Sequence, residues 1–144
     1  MQSFPHTYNA SVTASQSGHL AVTADGLPDL AAAPPAEFDG PGDQWSPETL
    51  LMSSLASCFI LSFRAVDAAS RFEWVSIKCQ SSGVLDRVDK VTKFTSVTHH
   101  VHLLVHSEGD IDKAGKLLQK AESVCLISNS LSAEVHLETE ISPV

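Results

Sequence analysis

The stretch that decides the fold runs from residue 46 to residue 63, "SPETLLMSSLASCFILSF". It opens as a helix opens. Ser46 offers an N-cap hydroxyl, Pro47 suits the first helical position, and Glu48 faces the positive end of the helix dipole. Beyond Glu48 the amphipathic pattern disappears. Leu50, Leu51, Met52, Leu55, Ala56, Phe59, Ile60, Leu61 and Phe63 fall all round the axis. A helix that is apolar on every side is expected to be buried on nearly every side. A single cysteine, Cys58, sits in its middle. Taken alone it reads as a small core residue, since free cysteine is among the most buried side chains. Its own helix does not activate it: it lies roughly 16 Å from the positive end, too far for the dipole to act.

The elements around this helix can be read outward from it. Residues 7–15, "TYNASVTAS", alternate with Tyr8, Ala10, Val12 and Ala14 on one face, the period of a strand. "HLAVTA" reads as a second strand, with turns at "QSG" and "DGLPD". The Pro- and Gly-rich run 31–45 is a loop with room for one short strand. The central helix covers 47–70. Two long strands follow, near 73–85 and 92–106, joined by "DRVDK". Residues 110–121 form an amphipathic helix that Asp110 can cap. "ESVCLISNSL" continues or restarts it, and "AEVHLETEI" closes the chain as a strand. This order predicts an α+β fold with antiparallel sheets packed on a buried central helix, as one domain over residues 1–144.

Composition limits the function classes. A chain of 144 residues is long enough to bury a core without staples. The net charge of −8 disfavours binding to nucleic acid or to an anionic membrane surface. The apolar run around Cys58 is about 14 residues long and holds four serines, short for a bilayer span. The N-terminus lacks the basic start and apolar run of a signal peptide. Three cysteines at irregular spacing do not make a secreted disulfide framework, so a cytoplasmic protein with reduced thiols is expected, and the sequon at Asn9 reads as accidental.

Cys125, in "AESVCLIS", supplies a second thiol at the end of a helix, with Ser128 three residues on. Two such thiols make a coherent redox pair if the fold joins them. A thiolate attacks an O–O bond, a sulfenic acid remains, and the second thiol condenses with it to a disulfide. Spacing alone does not join them.

"SPETLLMSSLASCF" together with "KAESVCLISNSL" resembles the OsmC/Ohr family of thiol-dependent hydroperoxide reductases. Pro47, Glu48, Ser57, Cys58, Phe59, Cys125 and Ser128 match the family pattern. The resemblance implies an intertwined homodimer with two active sites at the subunit interface. It implies Cys58 as the peroxidatic thiolate, Cys125 as the resolving thiol and Glu48 as an orienting carboxylate. Glu48 and Cys58 stand ten residues apart on one helix, roughly 15 Å along its axis, so Glu48 serves the site from the other subunit if it serves it at all. No cofactor and no metal are implied. The reductant is a cellular dithiol, a lipoylated protein or a thioredoxin-like partner.

The sequence departs from that pattern in two places. The family's organic-hydroperoxide branch has an activating arginine near the first hairpin, but here no Lys or Arg precedes Arg64, against six acidic residues. His19 is the cationisable group of that hairpin; Arg64, Arg71 and Arg87 are the other candidates. Leu126 stands where proline usually follows the second cysteine. An OsmC-like protein without efficient peroxidase activity, acting in redox or ligand binding, is therefore the alternative. Cys79 matches no family position and reads as structural. In "THHVHLLVH", His100, His102 and His106 share one strand face, opposite His99, Val101, Leu103 and Val105. The histidine face reads as a polar strand face ahead of a metal site. Trp45 and Phe38 read as loop anchors, or as the wall of an apolar substrate pocket.

Overall fold

A computed structural model describes all of residues Met1–Val144. The chain divides into two compact units, Met1–Leu51 and Met52–Val144.

In the first unit β1 (Ser11–Thr13), β2 (Leu20–Thr23) and β3 (Leu30–Ala32) form an antiparallel meander in the order β1-β2-β3, with Val12 opposite Val22 and Leu20 opposite Ala32. The turn from β2 to β3 closes with the Leu27 N–H donating to the Ala24 carbonyl at 3.1 Å, and Gly26 takes the left-handed φ of 73° there. After β3 the chain folds tightly. The N–H groups of Phe38 and Gly40 both donate to the Pro35 carbonyl at 3.0 Å. A side chain at Gly40 would put its Cβ 1.8 Å from the Pro34 carbonyl oxygen, so only glycine fits. The strand expected over 7–15 shrinks to three residues because β1 is exposed on both faces and has nothing to bury.

Helix α1 spans Pro47–Ser70, the bounds its sequence predicts. Ser46 caps it: the Thr49 N–H donates to the Ser46 Oγ at 3.1 Å, and the Ser46 N–H donates to the Thr49 Oγ1 at 3.0 Å. At the far end, the Phe72 N–H donates to the Asp67 carbonyl, and Arg71 turns the chain in the left-handed region at φ 51°. The Trp74 indole donates to the buried Asp67 carboxylate.

In the second unit β4 (Ser76–Val88) and β5 (Val91–Val105) form a long antiparallel hairpin. Its two-residue turn places Asp89 and Lys90 at φ 51° and 66°, the conformation that matches strand twist. Helices α2 (Ile111–Val124) and α3 (Leu126–Asn129) follow, then β6 (Glu134–Pro143). Every strand pair is antiparallel as expected, except one. β6 lies parallel to β5, with Val97 opposite Val135. The two helices supply the crossover that a parallel pair requires, returning the chain to the end where β5 began. Asp110 does not cap α2 with its side chain; its carboxylate accepts from the Ser107 N–H and Oγ–H at 3.0 and 2.9 Å, in a capping box one turn earlier.

The core of this unit joins Phe59, Phe63 and Val66 of α1 to Val101, Leu103 and Val105 of β5 and to Ala114, Leu117, Leu118 and Ala121 of α2. Each large side chain buried there stabilises the unit by roughly 1.5–3 kcal/mol. One face of α1 is thus used. The rest stays open in the single chain: Leu61 is 60% exposed, and Met52 and Ile60 are half-buried. The expectation of burial on nearly every side is therefore met on one side only. At 24 residues, with mean hydropathy 1.6 over its most apolar window, α1 is long and apolar enough to cross a membrane, which the 14-residue apolar run did not suggest. Its phenylalanines pack on β5 and α2 instead.

Candidate functional site

Cys58 lies half-buried in α1, and Cys125 is fully buried at the junction of α2 and α3. The fold brings the two thiols together: Cys58 neighbours Cys125 closely enough to act on its thiol. No disulfide joins them. Cys125 breaks the helix with an extended backbone, φ −66° and ψ 108°. Its N–H donates to the Glu122 carbonyl at 3.2 Å, and its carbonyl accepts from the Asn129 N–H at 3.0 Å. It therefore ends one helix and opens the next. Residues before proline favour this conformation, yet here it forms with Leu126 in that place.

Burial pushes the Cys125 thiol up, and the neighbouring Cys58 adds to that; Ser128 pulls the other way through its hydroxyl and its backbone. Ser128 is itself buried beside the thiol. A buried thiol held protonated is a poor first nucleophile; it can attack a sulfenic acid as its proton passes to the hydroxyl that leaves as water.

Glu48 belongs to the first unit. It lines an apolar pocket of about 380 Å³, walled by Leu20, Ala33, Pro34, Pro35, Phe38 and Pro47. Its Oε2 is buried and has no hydrogen-bond partner. A carboxylate oxygen without a donor in an apolar wall is costly. Phe38 is part of the pocket wall; Trp45 instead pairs with the strand end, its carbonyl accepting from the Ala33 N–H at 2.8 Å. His19, Arg64, Arg71 and Arg87 are all exposed.

The histidine strand sorts as its alternation predicts. His100, His102 and His106 are exposed, and His100 pairs with Glu138 at 2.9 Å. His99 points inward and is fully buried. Sequence reasoning placed it on the apolar face but gave it no partners. It has three: Ser81 Oγ at 2.6 Å and Cys79 Sγ at 3.8 Å from Nδ1, and Glu122 Oε2 at 3.3 Å from Nε2. Its ring also packs on Phe59, with centroids 5.3 Å apart. Burial works against the protonated ring, but the contacts with Cys79 and Glu122 outweigh it and raise the pKa to about 9. The signal in the sequence was a histidine in an apolar register, since a buried imidazole needs partners.

Residues 40–140 match the family model described as OsmC-like protein. A curated relative, the uncharacterized protein YmaD of Bacillus subtilis, is 31% identical over 111 residues, covering 75% of this chain and 74% of that protein. Among solved structures, an OsmC-like protein of unknown function from Vibrio cholerae superposes with a TM-score of 0.86 at 21% identity, over 94% of this chain and all of that one. An organic hydroperoxide resistance protein OsmC from Legionella pneumophila gives a TM-score of 0.77 at 28% identity, over 97% and 99% of the two chains. The paired cysteines, the long apolar helix that carries the first of them and these likenesses agree: the chain belongs to the OsmC-like family.

Proposed function

We propose that this protein is a thiol-dependent hydroperoxide reductase that works as a homodimer, with Cys58 as attacking thiolate and Cys125 as resolving thiol. The observation that carries this reading is the contact of two thiols far apart in sequence, one half-open and one buried beside Ser128. The Cys58 thiolate attacks one peroxide oxygen, the O–O bond breaks, and the alkoxide leaves and takes a proton as the alcohol. Cys58 is then a sulfenic acid. The Cys125 sulfur displaces its hydroxyl, which leaves as water, and a disulfide forms. A dithiol, free, lipoyl-bound or on a thioredoxin-like protein, restores both thiols and carries away the two electrons' worth of oxidation. A reducing cytoplasm suits this cycle.

Two further observations support the dimer. The open face of α1 keeps Leu61 exposed, and the Glu48 Oε2 lacks a donor within its own chain. A second subunit would supply a cover for the first and a partner for the second. The apolar pocket beside Glu48 suits an alkyl hydroperoxide ahead of hydrogen peroxide.

One observation favours a second reading, a redox or ligand-binding protein with little turnover: no Lys or Arg precedes Arg64, so the first hairpin offers no permanent cation. One experiment separates the two. Reduced protein receives one equivalent of cumene hydroperoxide or of hydrogen peroxide, and free thiols are counted. Loss of two thiols per chain, with a Cys58–Cys125 linkage by mass spectrometry and Cys79 still free, is the expected outcome. Retention of all three thiols would favour the second reading, and a linkage through Cys79 would overturn the assignment of roles.

A further inference from the structure

We propose that Cys79, Ser81, His99 and Glu122 form a second thiol centre, separate from Cys58 and Cys125, which exchanges with small disulfides. Nothing in the hydroperoxide chemistry above uses these residues. They come from three elements: Cys79 and Ser81 from the inward face of β4, His99 from β5 and Glu122 from the last turn of α2. The Cys79 Sγ lies 3.9 Å from the Ser81 Oγ and 3.8 Å from the His99 Nδ1. The Ser81 Oγ lies 2.6 Å from the same nitrogen. On the far side of the ring, Nε2 faces the Glu122 Oε2 at 3.3 Å. A nucleophile, a base in reach of it and a third group orienting the base is the arrangement that activates thiols and hydroxyls.

The His99 side chain is wholly buried, and its Nε2 and the Glu122 Oε2 face each other without the alignment of a hydrogen bond. A buried ring in that position is held by charge. The titratable groups facing it are Cys79 from β4 and Glu122 from α2; α1 presents Phe59 and β6 presents Leu137, both apolar. With the pKa of His99 raised to about 9, the ring is an imidazolium at neutral pH. Its Nδ1–H then donates to Ser81, which leaves the Ser81 hydroxyl proton free for a Cys79 thiolate. Cys79 is half-buried, so a small reagent can reach it.

The substrate class follows from the same geometry. The Nδ1–H is taken by Ser81, and Nε2 faces Glu122 on the far side of the ring from Cys79, so neither is placed to give a proton to an alkoxide leaving from a peroxide. A thiolate leaving from a disulfide needs none. In the step, the Cys79 thiolate attacks one sulfur of RSSR, a mixed disulfide forms on Cys79, and RS⁻ leaves. No net oxidant beyond the disulfide is required, and a second thiol reverses the reaction.

The test uses full-length Cys58→Ser/Cys125→Ser protein, in which Cys79 is the sole thiol, and dithiodipyridine as the disulfide. Thiopyridone release is followed from about pH 5 to 9 beside glutathione. A Cys79 held as thiolate by the imidazolium beside it should react about tenfold faster than glutathione at pH 6. His99→Gln should remove that advantage, and Glu122→Gln should reduce it. A Cys79 rate at or below that of glutathione at every pH, measured with His99 intact, would overturn the proposal whether or not the variants fold. So would a folded His99→Gln protein that reacts as fast as its parent. Because Cys58 and Cys125 are absent from the assay, its result is independent of the hydroperoxide reading.

Discussion

The buried His99 makes a stability prediction with a definite sign. Its pKa rises from 6.5 in the unfolded chain to about 9 in the folded one. The folded state therefore binds the proton more tightly, and folding gains from it as long as the folded ring stays protonated. The full contribution is present below pH 6.5, falls as pH rises from there, and is gone above about 9. At about 1.4 kcal/mol per unit, the shift corresponds to roughly 3 kcal/mol. The ring is fully buried, so solvent screening takes little of this, but the ion pair with Glu122 is only 3.3 Å and misaligned, which makes the figure an upper value. The assay is urea unfolding of the reduced protein between about pH 6 and 9.5, with His99→Gln alongside to subtract the ionisation of the cysteines. The parent should lose up to ~3 kcal/mol across the window, and His99→Gln should be nearly flat. A parent curve that is flat, or that rises, relative to His99→Gln would refute the charged buried ring.

Cys58→Ser should abolish peroxide turnover, and Cys125→Ser should react once and then accumulate sulfinic acid at Cys58 under excess peroxide; loss of the first oxidation step in both variants, followed by mass spectrometry, would contradict the separate roles. Gly40→Ala should destabilise the protein by several kcal/mol, read as a lowered Tm, because the Cβ meets the Pro34 carbonyl backbone and not a flexible side chain. Ser46→Ala should cost about 1 kcal/mol in urea unfolding through the lost cap on α1. If the hairpin histidine His19 supplies the cation for peroxide cleavage, His19→Gln should slow the first oxidation of Cys58 in stopped flow; an unchanged His19→Gln rate would eliminate the histidine.

What could be read from the sequence was what local chemistry dictates. The bounds of α1 follow from Ser46, Pro47 and the apolar run, and the hairpin of β4 and β5 follows from alternation and its turn. β1 was overextended because alternation of Ala and Val signals a strand only when a layer exists to bury it, and both faces of β1 are exposed. The parallel β6 was missed because pairing direction depends on where α2 and α3 deliver the chain. Apolar residues all round α1 say that the helix is covered, not what covers it: its own chain covers the side that packs on β5 and α2, and the other side is the one the resemblance gives to a partner subunit. The contact of Cys58 with Cys125 was not legible from spacing at all; it entered through the family resemblance. His99 shows the same limit. Alternation put it inside, but Ser81 reaches it through the register of the hairpin and Glu122 through the packing of α2, and neither is a local property. The absent arginine runs the other way. Sequence alone establishes that no permanent cation precedes Arg64, and the structure adds that Glu48, the carboxylate such a cation would meet, keeps a buried oxygen without a donor. A family member that had lost the use of this carboxylate would be free to replace it with an apolar residue, at a gain in stability. Its presence in an apolar wall fits the proposed homodimer, in which a second subunit would bring a donor to this oxygen.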